Sequence, residues 1–227
     1  MKRGKKYAEA VKKYDPLEAF TPEKAVAVVK QTAYAKFDET VDISINLSLK
    51  KSQTVRDTLV LPYQFREGEK KILVFAKGEK VEEARQAGAT YVGDDDLIEK
   101  IKGGWLDFDV AVATPDMMKD VGRLGQILGR RGLMPNPKTQ TVTFDIKAAV
   151  NELKKGRVEY RSDKTGAIHL AVGKVSMEAK TVAENIAAVL QDVERKRPPD
   201  AKGNFIKSVY VSSTMGPGVR ISRGEQE

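Results

Sequence analysis

The chain has no cysteine, one histidine and one tryptophan among its 227 residues. Without cysteine there are no disulfides, no thiolate zinc ligands and no cysteine nucleophile. A single histidine without cysteine also removes most transition-metal sites. That histidine, His169, sits in the run Ile168-His169-Leu170, on the face opposite its two apolar neighbours. No nucleophile or carboxylate pattern accompanies it in the sequence, which disfavours a general base. No stretch approaches the roughly 18 apolar residues of a membrane span. The first residues, MKRGKKYAEAVKKYD, are basic but lack the apolar core of a secretory signal. A soluble, cytosolic protein is expected. Nucleotide fingerprints are missing too. Gly122–Gly132 reads GRLGQILGRRG, with neither G-x-G-x-x-G after a strand nor the G-K-[ST] of a phosphate loop. Lys77-Gly78-Glu79-Lys80 follows a strand pattern but is too short to wrap phosphates. Asp94-Asp95-Asp96 reads as first-turn partners of a helix dipole rather than a metal site. No cofactor is expected.

What the chain has is charge. Forty Lys+Arg stand against 32 Asp+Glu, a net charge of +8, with 41% hydrophobic residues. The sequence pI is about 9.4. Such a chain folds and suits a polyanionic partner.

Two grammars alternate along it. Thr21-Pro22-Glu23 is a helix start with an N-cap hydroxyl, Pro at the first helical position and an early acid. Val41, Ile43, Ile45, Leu47 and Leu49 alternate with Asp42, Ser44, Asn46 and Ser48, the mark of a strand with one wet face. A second strand is predicted over Val55–Leu61. From Lys70 the pattern changes. Ile72–Ala76 is a continuous apolar run, as in a strand covered on both faces. Helical segments then alternate with short strands at Thr90–Val92, Val110–Ala113 and Val142–Phe144, which argues for a small parallel sheet. After Gly156 the first grammar returns. Val158–Arg161 and Ile168–Val172 flank Asp163-Lys164-Thr165-Gly166 and read as a hairpin, followed by a long helix over Ser176–Arg197.

The expected fold class is therefore mixed α/β and α+β in two domains. Residues 1–68 and 157–227 form a discontinuous α+β domain, and 69–156 an inserted parallel-sheet, Rossmann-like α/β domain. Segments 1–67 and 156–227 hold 25 basic and 18 acidic residues; 68–155 hold 15 and 14. The excess positive charge belongs to the two-ended domain. Two chain crossings, near Gly68 and Gly156, are candidate hinges.

Phe205–Ile221, FIKSVYVSSTMGPGVRI, is the most informative stretch. A strand through Val209 and Val211 breaks at a loop of small hydroxyls, one Met, Gly216, Pro217 and Gly218. Gly reaches positive φ and Pro presets φ, so a sharply shaped loop is predicted. Thr214, Met215 and Gly216 offer a hydroxyl, a flat apolar contact and close approach to a rigid polar partner. Phe37, between a helix and the alternating strand, is either a core aromatic or a surface platform for a base or ribose. Arg161, Asp163, Lys164, Thr165 and Gly166 form a polar tip expected to join the Thr214–Gly216 loop on one basic surface. Together they supply the donors used on phosphates and 2′-hydroxyls.

Six stretches carry a resemblance: KFDETV (36–41), AKGEK (76–80), GWLDFDVAVATPDMM (104–118), LGRRGLMPNPK (128–138), YRSDKTGAIH (160–169) and KSVYVSSTMGPGVRI (207–221). In this order they resemble the ribosomal protein L-one family, in wording closest to its bacterial branch. The resemblance implies a split two-domain architecture and a non-enzymatic protein of the large subunit that binds the rRNA stalk beside the tRNA exit site. It further implies contact with exit-site tRNA during its release, repression of the chain's own operon mRNA, other ribosomal components as neighbours, a cytoplasmic location on the ribosome, and a monomer off it. The RNA contacts it implies are Lys36, Phe37, Thr40, Arg161, Asp163, Lys164, Thr165, Gly166, His169, Ser208, Thr214, Met215 and Gly216. The chain departs from the family at Leu47–Glu69, where the loop is shortened and the usual Pro-His-Gly turn reads Pro62-Tyr63-Gln64-Phe65. The rival class is an RNA-modifying or nucleotide-dependent enzyme built on the parallel sheet; the missing phosphate loop counts against it.

Overall fold

The computed structural model describes residues 4–50, 53–65, 70–154, 156–198 and 203–222. In chain order the elements are α1 (Lys5–Val11), β1 (Ala19–Phe20), α2 (Pro22–Thr32), β2 (Thr40–Leu47), β3 (Arg56–Val60), β4 (Ile72–Phe75), α3 (Glu79–Gln86), β5 (Tyr91–Gly93) and α4 (Asp95–Lys102). There follow β6 (Val110–Ala113), α5 (Met118–Val121), α6 (Gly125–Arg131), α7 (Ile146–Lys154), β7 (Arg157–Arg161), β8 (Ala167–Lys174), α8 (Ala179–Arg195), β9 (Ile206–Ser213) and β10 (Val219–Ile221). Backbone contacts group them into two compact units, Met1–Phe65 with Tyr160–Glu227, and Arg66–Glu159.

The first unit is built on a five-stranded sheet in the order β1-β10-β9-β2-β8. β2 runs antiparallel to both neighbours, β8 and β9. Its alternation has the expected consequence: Val41, Ile43, Ile45 and Leu47 are buried on one face. α2 and α8 cover that face with Ala25, Val26, Val29, Val182, Ile186, Val189 and Val193, all buried. Each such Val or Ile contributes roughly 1.5–3 kcal/mol by leaving water. No helix of the molecule is long and apolar enough to cross a membrane, among the described residues. The divergent turn at Pro62–Phe65 is held by a buried polar anchor. Asn185 of α8 accepts from the Tyr63 N–H (3.0 Å), and its amide donates to the carbonyls of Tyr63 (2.9 Å) and Val172 (2.8 Å).

Three local expectations are corrected. Val158–Arg161 and Ile168–Val172 do not form a hairpin: β7 pairs with β3, and β8 with β2. The turn between them is real, but it hands the chain from one sheet to another. β7 is drawn away where Ser162 N–H donates to Val55 O (2.8 Å) and Val55 N–H donates to Ser162 Oγ (2.9 Å). Val142–Phe144 is no strand; only an isolated parallel bridge joins Val142 to Ala113. The Thr21 hydroxyl makes no capping bond, although its carbonyl accepts the first helical N–H, from Ala25 at 2.8 Å.

The second unit carries a parallel sheet in the order β5-β4-β6. The run Ile72-Leu73-Val74-Phe75 is buried throughout because it serves two cores in alternation. Leu73 and Phe75 pack with Ile101, Met117, Leu124 and Leu128. Ile72 and Val74 pack on the other side with Ala84, Val112, Ile146 and Val150. Gly156 follows α7 with φ 78°, a helix-terminating conformation, and its N–H donates to Leu153 O at 3.2 Å. Gly68 lies outside the described residues.

Candidate nucleic-acid interface

The face of the first unit's sheet that turns away from α2 and α8 is polar. The alternation that buries the odd residues of β2 leaves Asp42, Ser44 and Asn46 on it. Opposite them on β9 stand Ser212, Tyr210 and Ser208, and on β8 Ala171, His169 and Ala167. Arg220 of β10 pairs with Tyr210, a residue 39% exposed. His169 does have a nucleophile-type neighbour, which its sequence surroundings hid: Ser44 Oγ lies 3.0 Å from its Nδ1. Burial pushes the Asp42 carboxyl above its usual range, partly opposed by His169. The trio lies on the open sheet face and presents hydrogen-bonding groups there. Among the described residues no three His, Asp or Glu side chains are grouped to hold a metal.

One end of this face is built by two loops. Residues 34–40 meet 213–216 around Glu39, a residue only 1% exposed. Its Oε1 accepts the N–H groups of Tyr34 (3.1 Å) and Ala35 (2.8 Å), and its Oε2 that of Met215 (2.9 Å). Burial opposes ionisation, but these backbone donors, with the Ser213 hydroxyl beside them, hold the carboxyl below its ordinary value. The Tyr34 hydroxyl donates to Met215 O at 2.7 Å. Thr214 N–H donates to Thr40 O (3.0 Å), and Thr40 N–H donates to Thr214 Oγ1 (3.1 Å). The Thr214 hydroxyl therefore already serves the fold, although it lies at the surface. Asp38 accepts from the N–H and hydroxyl of Ser176, and Lys174 lies 3.7 Å away. This scaffold leaves Phe37 57% and Met215 51% exposed, with Lys36 exposed beside Phe37. Phe37 is thus no core aromatic. Neither Gly216 nor Gly218 has the positive φ that the sequence suggested. A Cβ at Gly216 would instead meet the Ser213 hydroxyl, which would have to turn to make room.

The other end is the 163–166 turn. Asp163 is not a free ligand. It accepts from Thr165 N–H (2.8 Å), the Thr165 hydroxyl (2.7 Å) and Ala167 N–H (2.8 Å), and these bonds, the Thr165 hydroxyl first, hold its carboxyl below the usual range. Gly166 has φ 88°, and a Cβ there would lie 3.0 Å from Leu47 O, so glycine is needed twice over. The turn projects Lys164 into solvent beside an open depression of about 920 Å³ that also holds Lys50 and Arg161. The two ends lie on the same unit, as expected, but do not touch. Ala167 pairs with Asn46 while Thr214 bonds Thr40, which places them at opposite ends of β2. Six residue steps along β2 separate them by roughly 20 Å. They bracket the sheet face, on which Thr40, His169 and Ser208 lie.

Residues 29–217 match the model of the ribosomal protein L1p/L10e family. The large ribosomal subunit protein uL1 of Treponema denticola is 63% identical over 97% of both chains. That of Treponema pallidum strain Nichols is 56% identical over the full length of both, and that of Borreliella burgdorferi 60% over 97% of both. The chain belongs to the ribosomal protein L1p/L10e family. It is accordingly a structural, non-enzymatic component of the large ribosomal subunit, in the cytoplasm, with rRNA binding implied by the family.

Sequence reading missed Glu39 as part of this family member's surface, and Tyr34, Tyr210 and Arg220 with it. The signal for Glu39 was present. It continues the odd-numbered register of Val41, Ile43, Ile45 and Leu47, and so points a carboxylate inward where hydrogen-bond donors must satisfy it.

Proposed function

We propose that the first unit grips the rRNA stalk through the open sheet face and the two loops that bracket it. One observation carries the reading: a sheet face lined with serine, asparagine, aspartate, tyrosine and histidine ends at both sides in hydrogen-bonded loops bearing exposed cations. Hydroxyls and an imidazole suit 2′-hydroxyls and base edges, and Tyr210, Phe37 and Met215 supply flat contacts. Lys36 at one end and Lys164 at the other suit phosphates. The discontinuous segment 1–68 with 157–227 is the binding domain, and 69–156 a separate body joined near Gly68 and Gly156. The contacts are Lys36, Phe37, Thr40, Arg161, Lys164, Thr165, Gly166, His169, Ser208, Thr214, Met215 and Gly216, with Asp163 shaping the turn.

The same surface would repress translation of the chain's own operon mRNA by binding a similarly folded site. On the ribosome the protein would assist release of deacylated tRNA from the exit site. It acts as a monomer off the ribosome. The test is binding to protein-free large-subunit rRNA, with the operon mRNA as competitor. Mutual exclusion with equal sensitivity to Phe37→Ala is expected; independent binding of the two RNAs would contradict a shared surface.

A further inference from the structure

We propose that Glu39 is the positioning residue of the RNA surface, its buried carboxylate fixing Phe37 and Met215 in one arrangement before RNA arrives. The inference rests on the reading of that surface given above. A buried carboxylate is tolerated only when hydrogen-bonded, and a hydrogen bond to an ionised acceptor is stronger than a neutral one. The donors that satisfy Glu39 come from two segments far apart in sequence: Tyr34 and Ala35 at the foot of the Phe37 loop, and Met215 itself. Among the described residues no cation pairs with Glu39, so hydrogen bonds, mostly from backbone, supply the compensation. The Tyr34 hydroxyl then holds the Met215 carbonyl, so Met215 is fixed at both its N–H and its C=O. Asp38 ties the far foot of the Phe37 loop to Ser176. Two exposed apolar side chains are thereby mounted on backbone that has little freedom left to lose when RNA docks.

Glutamate is specific to this task. Glutamine presents one acceptor oxygen and turns an NH2 group toward N–H donors, so at least one of them loses its partner. Aspartate is a methylene too short to span both loops.

The experiment is a double-mutant cycle read as affinity for protein-free large-subunit rRNA, using the full chain, with thermal unfolding followed in parallel. Glu39→Gln is expected to weaken binding by about tenfold while the protein remains folded at the assay temperature. Because no cation is removed, the dependence of affinity on salt should not change. Met215→Ala is expected to weaken binding by about tenfold in the natural chain but by less than about threefold in the Glu39→Gln background, since a mispositioned Met215 has little left to lose. Wild-type affinity in Glu39→Gln, or effects that multiply independently, would overturn the proposal. Failure of the underlying reading looks different: Phe37→Ala and Met215→Ala would then leave affinity unchanged in the natural chain. Should Glu39→Gln fail to fold, Tyr34→Phe removes only the bond to Met215 O. It is expected to weaken binding by about threefold with the melting temperature retained, and unchanged binding would overturn the proposal.

Discussion

The two units use their sheets in opposite ways. In the second, every residue of β4 is buried between two cores, and both faces are closed. In the first, helices close one face and leave the other to water, with Asp42, Ser44, Asn46, Tyr210 and His169 across it. Charge divides the same way, 25 basic to 18 acidic in the outer segments against 15 to 14 in the insert. A parallel sheet built from crossover helices has no free face to offer a ligand, whereas an antiparallel sheet does. In this chain the wet face and the surplus of cations fall in the same unit.

Substitutions should therefore separate stability from binding according to the unit they strike. Phe75→Ala empties a fully buried site between β4 and α4–α6 and should cost about 3–5 kcal/mol of stability. Calorimetry should register that loss while rRNA affinity at low temperature stays near wild type. A parallel drop in affinity would show that the units are not independent. Thr214→Ala should do the reverse, costing about 1–3 kcal/mol of RNA affinity. Because the hydroxyl also accepts the Thr40 N–H, a stability loss of about 1 kcal/mol should accompany it. Loss of stability with full affinity would make the loop purely structural. Replacing the insert by a short linker from Glu67 to Gly156 keeps β7 and should leave affinity within about tenfold, or ~1.4 kcal/mol. Loss of specific binding by a folded deletion protein would break the comparison.

Electrostatic effects should be smaller. Lys36→Ala or Lys164→Ala should each flatten the slope of log affinity against log salt by about 0.7–0.9, and Thr214→Ala should leave it alone. Among the perturbed carboxyls Glu39 and Asp163 are lowered and Asp42 is raised, and the buried Glu39 and the partly buried Asp42 act in opposite directions. Glu39 is held below its ordinary value, so its contribution is full above pH 4.5 and is lost as pH falls through its lowered folded-state pKa. Asp42 is raised, so the folded state prefers it protonated, and acidification through its range relieves a strain instead. In Glu39→Gln the loss of stability below pH 4.5 should shrink relative to wild type; an identical acid limb would place the lost stability elsewhere.

Much of this was legible in residue patterns, because the patterns are local. Alternation from Val41 gave β2 and its wet face. The continuous apolar run Ile72–Ala76 gave β4 and its double burial. Asp163-Lys164-Thr165-Gly166 gave a turn, since an Asx carboxylate and a positive-φ glycine act within five residues. Strand partnership was not legible. β7 and β8 lie next to one another in sequence, yet each pairs with a distant strand, because pairing is decided by cores and by bonds such as Val55 to Ser162. The same non-local register set the 163–166 turn and the Thr214 loop at opposite ends of β2 rather than together. Val142–Phe144 shows the limit of propensity: strand-like residues that found no room for more than one bridge.

Amide hydrogen exchange, with and without protein-free large-subunit rRNA, tests the central claim most directly. The account predicts RNA-dependent protection at residues 36–40, 163–169 and 208–216, and none across β4, β5 and β6. Protection concentrated in the insert, with those three segments exchanging as they do in the free protein, would contradict it.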